Sequence, residues 1–161
     1  MKHLPDVWEL SNFVYDLNKK LYPDSYGDFV GREVTEQEWI QWARETRAGS
    51  ERKMPVSMIN CATTIYAGPW HNAEARLWHD NIHFSESLSF DFLDELRVAE
   101  IQMKQLYAVG AHKSYRIAIE ADTYGQALYH QLTGDFPIDQ RGFARTYINT
   151  GMSEFLGGLR C

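Results

Sequence analysis

The sequence predicts an all-α protein in which residues 1–161 form a single-domain helical bundle of five to seven helices. Apolar residues recur at helical spacing in several segments, and short runs of turn-forming residues separate these segments. The short connections favour antiparallel neighbours, and no linker or internal repeat divides the chain. A length of 161 residues is also enough to bury a sizeable core in one domain.

The amino-terminal part of the chain predicts two helices. An apolar stripe at near-helical spacing predicts the first over residues 5–21, and Pro23 ends it. Thr35 and Glu38 stand at the spacing of a capping box, in which each residue bonds the backbone of the other. This spacing predicts a second helix from Thr35 to about Arg47.

Residues 56–67 are the ambiguous segment. Their β-branched residues favour a strand, whereas their length and their Met, Cys and Ala residues fit a buried helix. No other segment of the sequence offers a strand as a partner, and a lone strand is not stable. We therefore expect this segment to be helical.

Further helices are expected in the rest of the chain. Ser89 and Ser114 are candidate N-caps, and Gly110 and Gly134 are candidate helix ends. Gly125 falls inside a helix, where glycine costs about 1 kcal/mol relative to alanine, so it indicates close helix packing. The expected helices cover residues 69–84, 89–109, 114–133 and 137–150, followed by a tail, 151–161, that is expected to dock loosely.

Composition and charge exclude several classes of function. The net charge is −6 and the pI is near 5.5, so nucleic-acid binding is not expected, because it needs clustered Lys and Arg. No run of about 18 apolar residues and no signal-peptide pattern occurs, so no membrane span is expected. The only cysteines are Cys61 and Cys161, which argues against a disulfide scaffold and favours a cytoplasmic location.

The expected helix 69–84 carries the strongest indication of a metal site. His79 and His83 stand four residues apart, so on a helix their imidazoles point the same way and can bind one ion. His71 lies earlier on the same helix and is a third candidate ligand. A divalent zinc, manganese or iron ion would suit such a site. The alternative is that these histidines are surface or structural residues.

Two carboxylates are candidates for acid–base catalysis. Glu100 falls within the apolar stripe of its helix, where a carboxylate is costly unless it is paired, hydrogen-bonded or bound to metal. A structural ion pair with an arginine is the alternative for this residue. Asp122 sits at the margin of a core face near Tyr115 and Tyr129, whose hydroxyls could hold it. Glu95 lies at the edge of the stripe, and we expect it to be a solvated surface group.

The order of His71, the His79-Asp80 pair and Asp122 resembles that of the HD-type metal phosphohydrolases, which are also all-α. In that family the first histidine lies on a separate helix, whereas seven residues separate His71 from His79 here. The di-iron carboxylate bundles need Glu-x-x-His on their helices, and no glutamate of this chain has a histidine three positions later. Neither resemblance assigns the chain to a family.

The leading hypothesis is a helical protein with a polar site between helices, built on His79, His83 and Glu100, whose chemistry would be metal-assisted hydrolysis. The alternative is a small acidic binding protein, an inhibitor or accessory protein, that acts through an aromatic surface without catalysis. The same surface would suit a homodimer. Burial of Trp39 and Trp42 would count against this alternative. Its candidate contact residues are Trp8, Trp39, Trp42 and Trp70.

Overall fold

Helices make up most of the fold, and a small two-stranded sheet is the exception. The computed structural model describes residues 3–59 and 62–158, with side chains described as far as Thr150. The all-α prediction is confirmed, and the described residues form seven α-helices. In chain order the elements are α1 (Val7–Leu21), β1 (Gly27–Val30), α2 (Glu36–Arg47), β2 (Met54–Ser57), α3 (Pro69–Glu86), α4 (Phe92–Ala108), α5 (Lys113–Glu120), a π-helical turn (Ala121–Gly125), α6 (Gln126–Thr133) and α7 (Gln140–Gly158).

Helix α2 begins with the capping box that the sequence predicts. The backbone N–H of Glu38 donates to Thr35 Oγ1 at 3.2 Å, and the backbone N–H of Thr35 donates to Glu38 Oε2 at 3.0 Å. These bonds satisfy donors that have no partner within the first turn. The start of α2 is therefore determined locally. The two tryptophans of α2, Trp39 and Trp42, point into the interior, and each is 6% exposed.

The prediction of a helix over residues 56–67 is wrong. Strand β2 covers the start of this segment and pairs in parallel with β1, with Gly27 opposite Met54 and Val30 opposite Ser57. Of the residues that follow, 62–63 lie in a turn and 65–67 in a bend. A parallel pair needs a crossover connection, and α2 provides it. The partner strand escaped detection because four residues are too few to show a clear alternation.

Helix α3 contributes to two separate clusters of buried side chains. The larger cluster joins α3 to α1, α4, α5 and α7, and Trp78 and Ile82 are fully buried in it. The smaller cluster joins α3 to α2 and β2 through residues that include Trp42, Val56 and Leu77. Both clusters hold α3, so this helix cannot rotate without disrupting the packing of one cluster. The polar side chains of α3 therefore have little freedom to move.

The predicted helix 114–133 is helical throughout, but it contains a wider turn. The π-helical turn Ala121–Gly125 separates α5 from α6. Gly125 is buried there, and a Cβ added to it would lie 3.1 Å from the Tyr147 ring and 3.2 Å from the Phe143 ring. The predicted close packing at Gly125 is thus present, against side chains of α7.

Helix α7 continues to Gly158, beyond the predicted end near Thr150. The prediction that the tail 151–161 docks loosely depends on side chains that lie outside the described part of the structure. Although α7 is long, none of the described helices combines the length and the hydropathy that crossing a bilayer requires.

Gly125→Ala is expected to lower the free energy of unfolding by about 1 kcal/mol or more, because overpacking outweighs the better helix propensity of alanine. The Tyr147 ring cannot move aside freely, since its hydroxyl donates to Glu120 Oε1 at 2.8 Å. Chemical denaturation measures the change. Gly31→Ala is the control, because nothing lies within 4 Å of a Cβ there. A Gly125→Ala variant more stable than the parent would contradict the close packing.

Candidate metal centre

The end of α3 and the start of α4 meet at a short connection that determines which residues face each other. Ser87 ends α3 in the left-handed region, with φ of 56°, and Asp91 caps α4 by accepting from the backbone N–H of Asp94. Because the connection is short, α4 runs back alongside α3. Residues that are equally far from Ser89 in the sequence therefore lie opposite each other. His83 stands six residues before Ser89, and Glu95 stands six residues after it.

Three side chains converge at this seam. His79 Nε2 lies 3.0 Å from His83 Nε2. Glu95 approaches both rings, with Oε2 at 3.1 Å from His79 Nε2 and Oε1 at 3.5 Å from His83 Nε2. One ligand atom from each of the three residues lies within 4.8 Å of the others, and the group could hold a metal ion.

Aromatic side chains hold the His83 ring in place. The ring is fully buried, with Phe90 stacked on it at a centroid distance of 4.4 Å and Trp39 edge-on at 6.3 Å. Its Nδ1 has no hydrogen-bond partner among the described residues. Metal-bound histidines commonly donate from the second nitrogen to a nearby acceptor. Packing against the aromatic rings therefore orients the His83 imidazole, whereas a hydrogen bond usually orients a metal-binding histidine.

His79 and Glu95 change each other's proton affinity. Burial disfavours the charged imidazolium of His79, but the negative charge and hydrogen bond of Glu95, together with Asp80, outweigh it and raise the pKa of His79 to about 9. Burial acts to raise the pKa of Glu95, but the charges and hydrogen bonds of His79 and His83 hold it well below its usual range. His79 and Glu95 thus form an ion pair over the neutral pH range.

His79 and Glu95 line a partly enclosed cavity of about 740 Å³, within the size range of small-molecule sites, and His83 is buried behind them. Four further carboxyl groups line the cavity, and burial shifts the pKa of two of them, Asp80 and Asp122. Burial raises the pKa of Asp80 to about 6, against the opposing charges of His79 and His83. Other residues of the lining include Trp39, Arg76, Phe90, Phe92, Gln102, Asp122, Gln126 and Phe136.

Asp122 enters the cavity from the π-helical turn. Gln126 Nε2 donates to Asp122 Oδ1 at 2.7 Å, and Tyr66 also hydrogen-bonds the carboxyl group. Burial raises the pKa of Asp122 to about 6, although the Tyr66 hydrogen bond and the Arg76 charge oppose the rise. The expectation that tyrosine hydroxyls hold Asp122 thus has the right chemistry, but the tyrosine comes from the segment before α3.

Two of the sequence-predicted site residues lie apart from the cluster. Glu100 is exposed and pairs with Lys104, with Oε1 and Nζ 2.7 Å apart, so its predicted place inside an apolar stripe is wrong. The physical reason is that the buried face of α4 is centred on residues such as Val98 and Gln102. His71 stacks edge-on against Trp8 at 5.4 Å and is not a member of the three-residue group.

The expectation that Glu95 is a solvated surface group is wrong, because its side chain is 26% exposed and contacts both histidines. The signal that could have identified it is the short break after α3. A break of a few residues places the first turn of α4 beside the last turns of α3, where His79 and His83 lie. Glu100 stands more than one turn farther along α4.

The chain has been compared with known proteins. No protein-family model, curated protein or solved structure matches it. The chemistry of His79, His83 and Glu95 is therefore the basis for assigning a function.

In the metal-free protein, Glu95→Gln is expected to lower the pKa of His79 from about 9, because Glu95 opposes the effect of burial most strongly and only the smaller effects of Asp80 and Gln102 would remain. NMR titration of the His79 ring measures this. Because the pKa of His79 is raised, protonation of this ring stabilises the folded protein. The stabilisation is complete below pH 6.5 and is lost as the pH rises through about 9. The ionised carboxylate of Glu95, whose pKa is lowered, stabilises the folded protein above pH 4.5.

The parent should therefore lose about 3 kcal/mol of this stabilisation between pH 6 and 9.5, whereas Glu95→Gln should lose little of it. Urea denaturation in the presence of a chelator measures both. Glu100→Gln is the matched control, because Glu100 is exposed and distant from the histidines in sequence. Equal pH dependence in the parent and Glu95→Gln would show that Glu95 does not control His79.

Proposed function

We propose that this chain is a metal-dependent hydrolase whose divalent zinc, manganese or iron ion is held by His79, His83 and Glu95. The observation that carries the proposal is the convergence of their three donor atoms within 4.8 Å, beside a cavity that His79 and Glu95 line. Two imidazoles and one carboxylate form a common ligand set of catalytic zinc and non-haem iron sites.

The separations of the donor atoms support this assignment. Two nitrogens at zinc-bonding distance, 2.0–2.1 Å, lie roughly 3.3 Å apart around a tetrahedral ion. The two imidazole nitrogens are 3.0 Å apart, and Glu95 approaches His79 with one oxygen at 3.1 Å and His83 with the other at 3.5 Å, so each separation is near that value. Little movement of α3 or α4 would be needed for the side chains to bind an ion.

Three protein ligands leave coordination positions open, as catalytic sites require. An ion in this position would lower the pKa of a bound water to near neutral, so that hydroxide becomes available for attack. The cavity supplies room for a substrate beside the cluster. A structural site would instead be closed by a fourth protein ligand.

Asp122 is the proposed general base. It lines the same cavity as His79 and Glu95 but is not one of the three ligands, so its carboxylate is available to accept a proton. Tyr66 and Gln126 hold it by hydrogen bonds. A pKa of about 6 suits a group that must be ionised at neutral pH and still take up a proton. Glu100 and His71 have no part in this proposal.

A second candidate is a binding surface, and the exposure of two tryptophans favours it. Trp8 is 58% exposed and Trp70 is 54% exposed, and Phe29 stacks edge-on against Trp70 at 4.6 Å. Such residues concentrate at protein interfaces, including homodimers. Trp39 and Trp42, however, are buried, and their burial removes half of the predicted aromatic surface.

Untagged protein purified without chelator is expected to contain about one equivalent of transition metal, or to take it up when zinc, manganese or iron is added. His79→Ala should weaken metal binding by more than about 100-fold, because loss of a ligand exceeds the 10–100-fold effect of losing an outer partner. His71→Ala, on the same helix, should retain the metal. Elemental analysis and competition with a chelator measure these changes.

Circular dichroism of each variant is the control for folding. Metal that persists in His79→Ala, or is lost equally in His71→Ala, would contradict the ligand assignment. Failure of the parent to bind any of the three ions would remove the metal centre and leave the aromatic surface as the better candidate.

The zinc-loaded protein is expected to hydrolyse the activated ester 4-nitrophenyl acetate, and Asp122→Asn should slow this by about 10²-fold or more while retaining the metal. Release of 4-nitrophenol measures the rate. Asp135→Asn, at an exposed position outside the cavity lining, is the matched control. A parent rate no higher than that of His79→Ala would argue against hydrolysis, and an unchanged rate in Asp122→Asn would argue against this base.

A further inference from the structure

The cavity contains the buried side-chain amide of Gln102, which interacts with His79 but whose oxygen forms no well-aligned hydrogen bond with a described residue. Gln102 lines the cavity from α4 and is 1% exposed. Its Oε1 has no hydrogen-bond partner among the described residues. An unsatisfied buried carbonyl is destabilising, so a ligand that donates a hydrogen bond to it would be favoured.

The charges around the cavity are mostly negative. Among its described lining residues, Arg76 is the only permanent cation, and its Nη1 donates to the Ser57 carbonyl at 2.9 Å. The lining contains five carboxylates, which exceed the positive charge of Arg76 and a divalent ion together. A phosphate group would therefore meet repulsion, and a cation would be attracted. The carboxylates belong to Glu33, Glu36, Asp80, Glu95 and Asp122.

Aromatic side chains supply apolar surface in the same cavity. Phe92 and Phe136 line it together with Trp39 and Phe90, the two residues that pack on His83. Aromatic faces attract cations and also accommodate flat apolar groups. The cavity thus combines acceptors, negative charge and aromatic walls.

We propose that the substrate is a planar N–H-bearing cation of the amidinium or guanidinium class, carried on an apolar or aromatic body. This inference rests on the proposed hydrolase function and specifies its substrate. Gln102 Oε1 accepts one N–H of the cation, and Asp122 lies in the same cavity as a negatively charged acceptor. Phosphate esters are excluded from the cavity.

Hydrolysis of an amidinium group in this cavity needs no oxidant or reductant. The oxygen of water bonds to the central carbon, and one C–N bond breaks with its electron pair going to nitrogen. Asp122 carries the first proton of the water to the departing nitrogen. The second proton follows, so that the products are a carboxamide and ammonium.

The test compares three probes of similar size and different charge: benzamidine, benzamide and phenyl phosphate. Their affinities are measured by isothermal titration calorimetry at pH 8, with the zinc-loaded protein and with the metal-free protein. Benzamidine is expected to bind about 10-fold or more tightly than benzamide, because hydrogen bonds to a charged group are stronger than neutral ones. Phenyl phosphate is expected to bind weakest in the metal-free protein. Tighter binding of benzamide or phenyl phosphate there, or no binding of benzamidine, would overturn the proposal.

Gln102→Met keeps the length of the side chain and removes the acceptor, so it should weaken benzamidine binding about 10-fold. Gln41→Met, at an exposed position of α2, is the matched control and should leave the affinity unchanged. Equal affinities of Gln102→Met and the parent would overturn the role of Gln102.

The two proposals fail separately in this design. Zinc binding with a preference for phenyl phosphate in the metal-free protein would leave the metal centre intact and remove the substrate class. A preference for benzamidine that depends on Gln102, in a protein that takes up no metal, would remove the hydrolase and leave a cation-binding cavity.

Discussion

The pairing of one glutamate with two histidines across the α3–α4 seam is the contact on which the rest of the site depends. An ionised carboxylate removed from water costs several kcal/mol unless nearby groups compensate, and Glu95 has His79 and His83 for this purpose. The same contact holds the first turn of α4 against the last turns of α3. Phe92 and Gln102 on α4 take their places in the cavity as a consequence. A charge interaction between two helices thus also determines the shape of the space beside them.

The small sheet contributes to the site through the helix that connects its strands. Parallel pairing of β1 and β2 requires the chain to cross over, and α2 makes this crossing. Trp39 of α2 then lies edge-on to the His83 ring, and Phe90 stacks on that ring from the α3–α4 connection. This aromatic cover excludes water from His83 while its Nε2 remains directed to His79 and Glu95. One member of the cluster therefore depends on packing that begins more than fifty residues earlier in the chain.

Local features of the fold could be predicted from the sequence, whereas features that depend on contacts between elements could not. The capping box at Thr35 and the proximity of His79 and His83 are set by backbone geometry within one helical turn. Glu95 and Glu100 are five positions apart and so point about 140° away from each other around a helix. A modest error in placing the apolar stripe therefore exchanged the inward and outward carboxylates. Strand pairing between residues 27–30 and 54–57 joins segments too short to show a period of their own.

The π-helical turn gives the cavity an unusual sensitivity to the length of the chain. Residues 121–125 widen the helix by one position, so α6 is rotated relative to α5 by about 100° from the phase of a continuous α-helix. That offset allows Asp122 to face the cavity while Gly125 packs against α7. Loss of a single codon in this segment could therefore keep almost every cavity residue in the sequence and still take apart the surface they form.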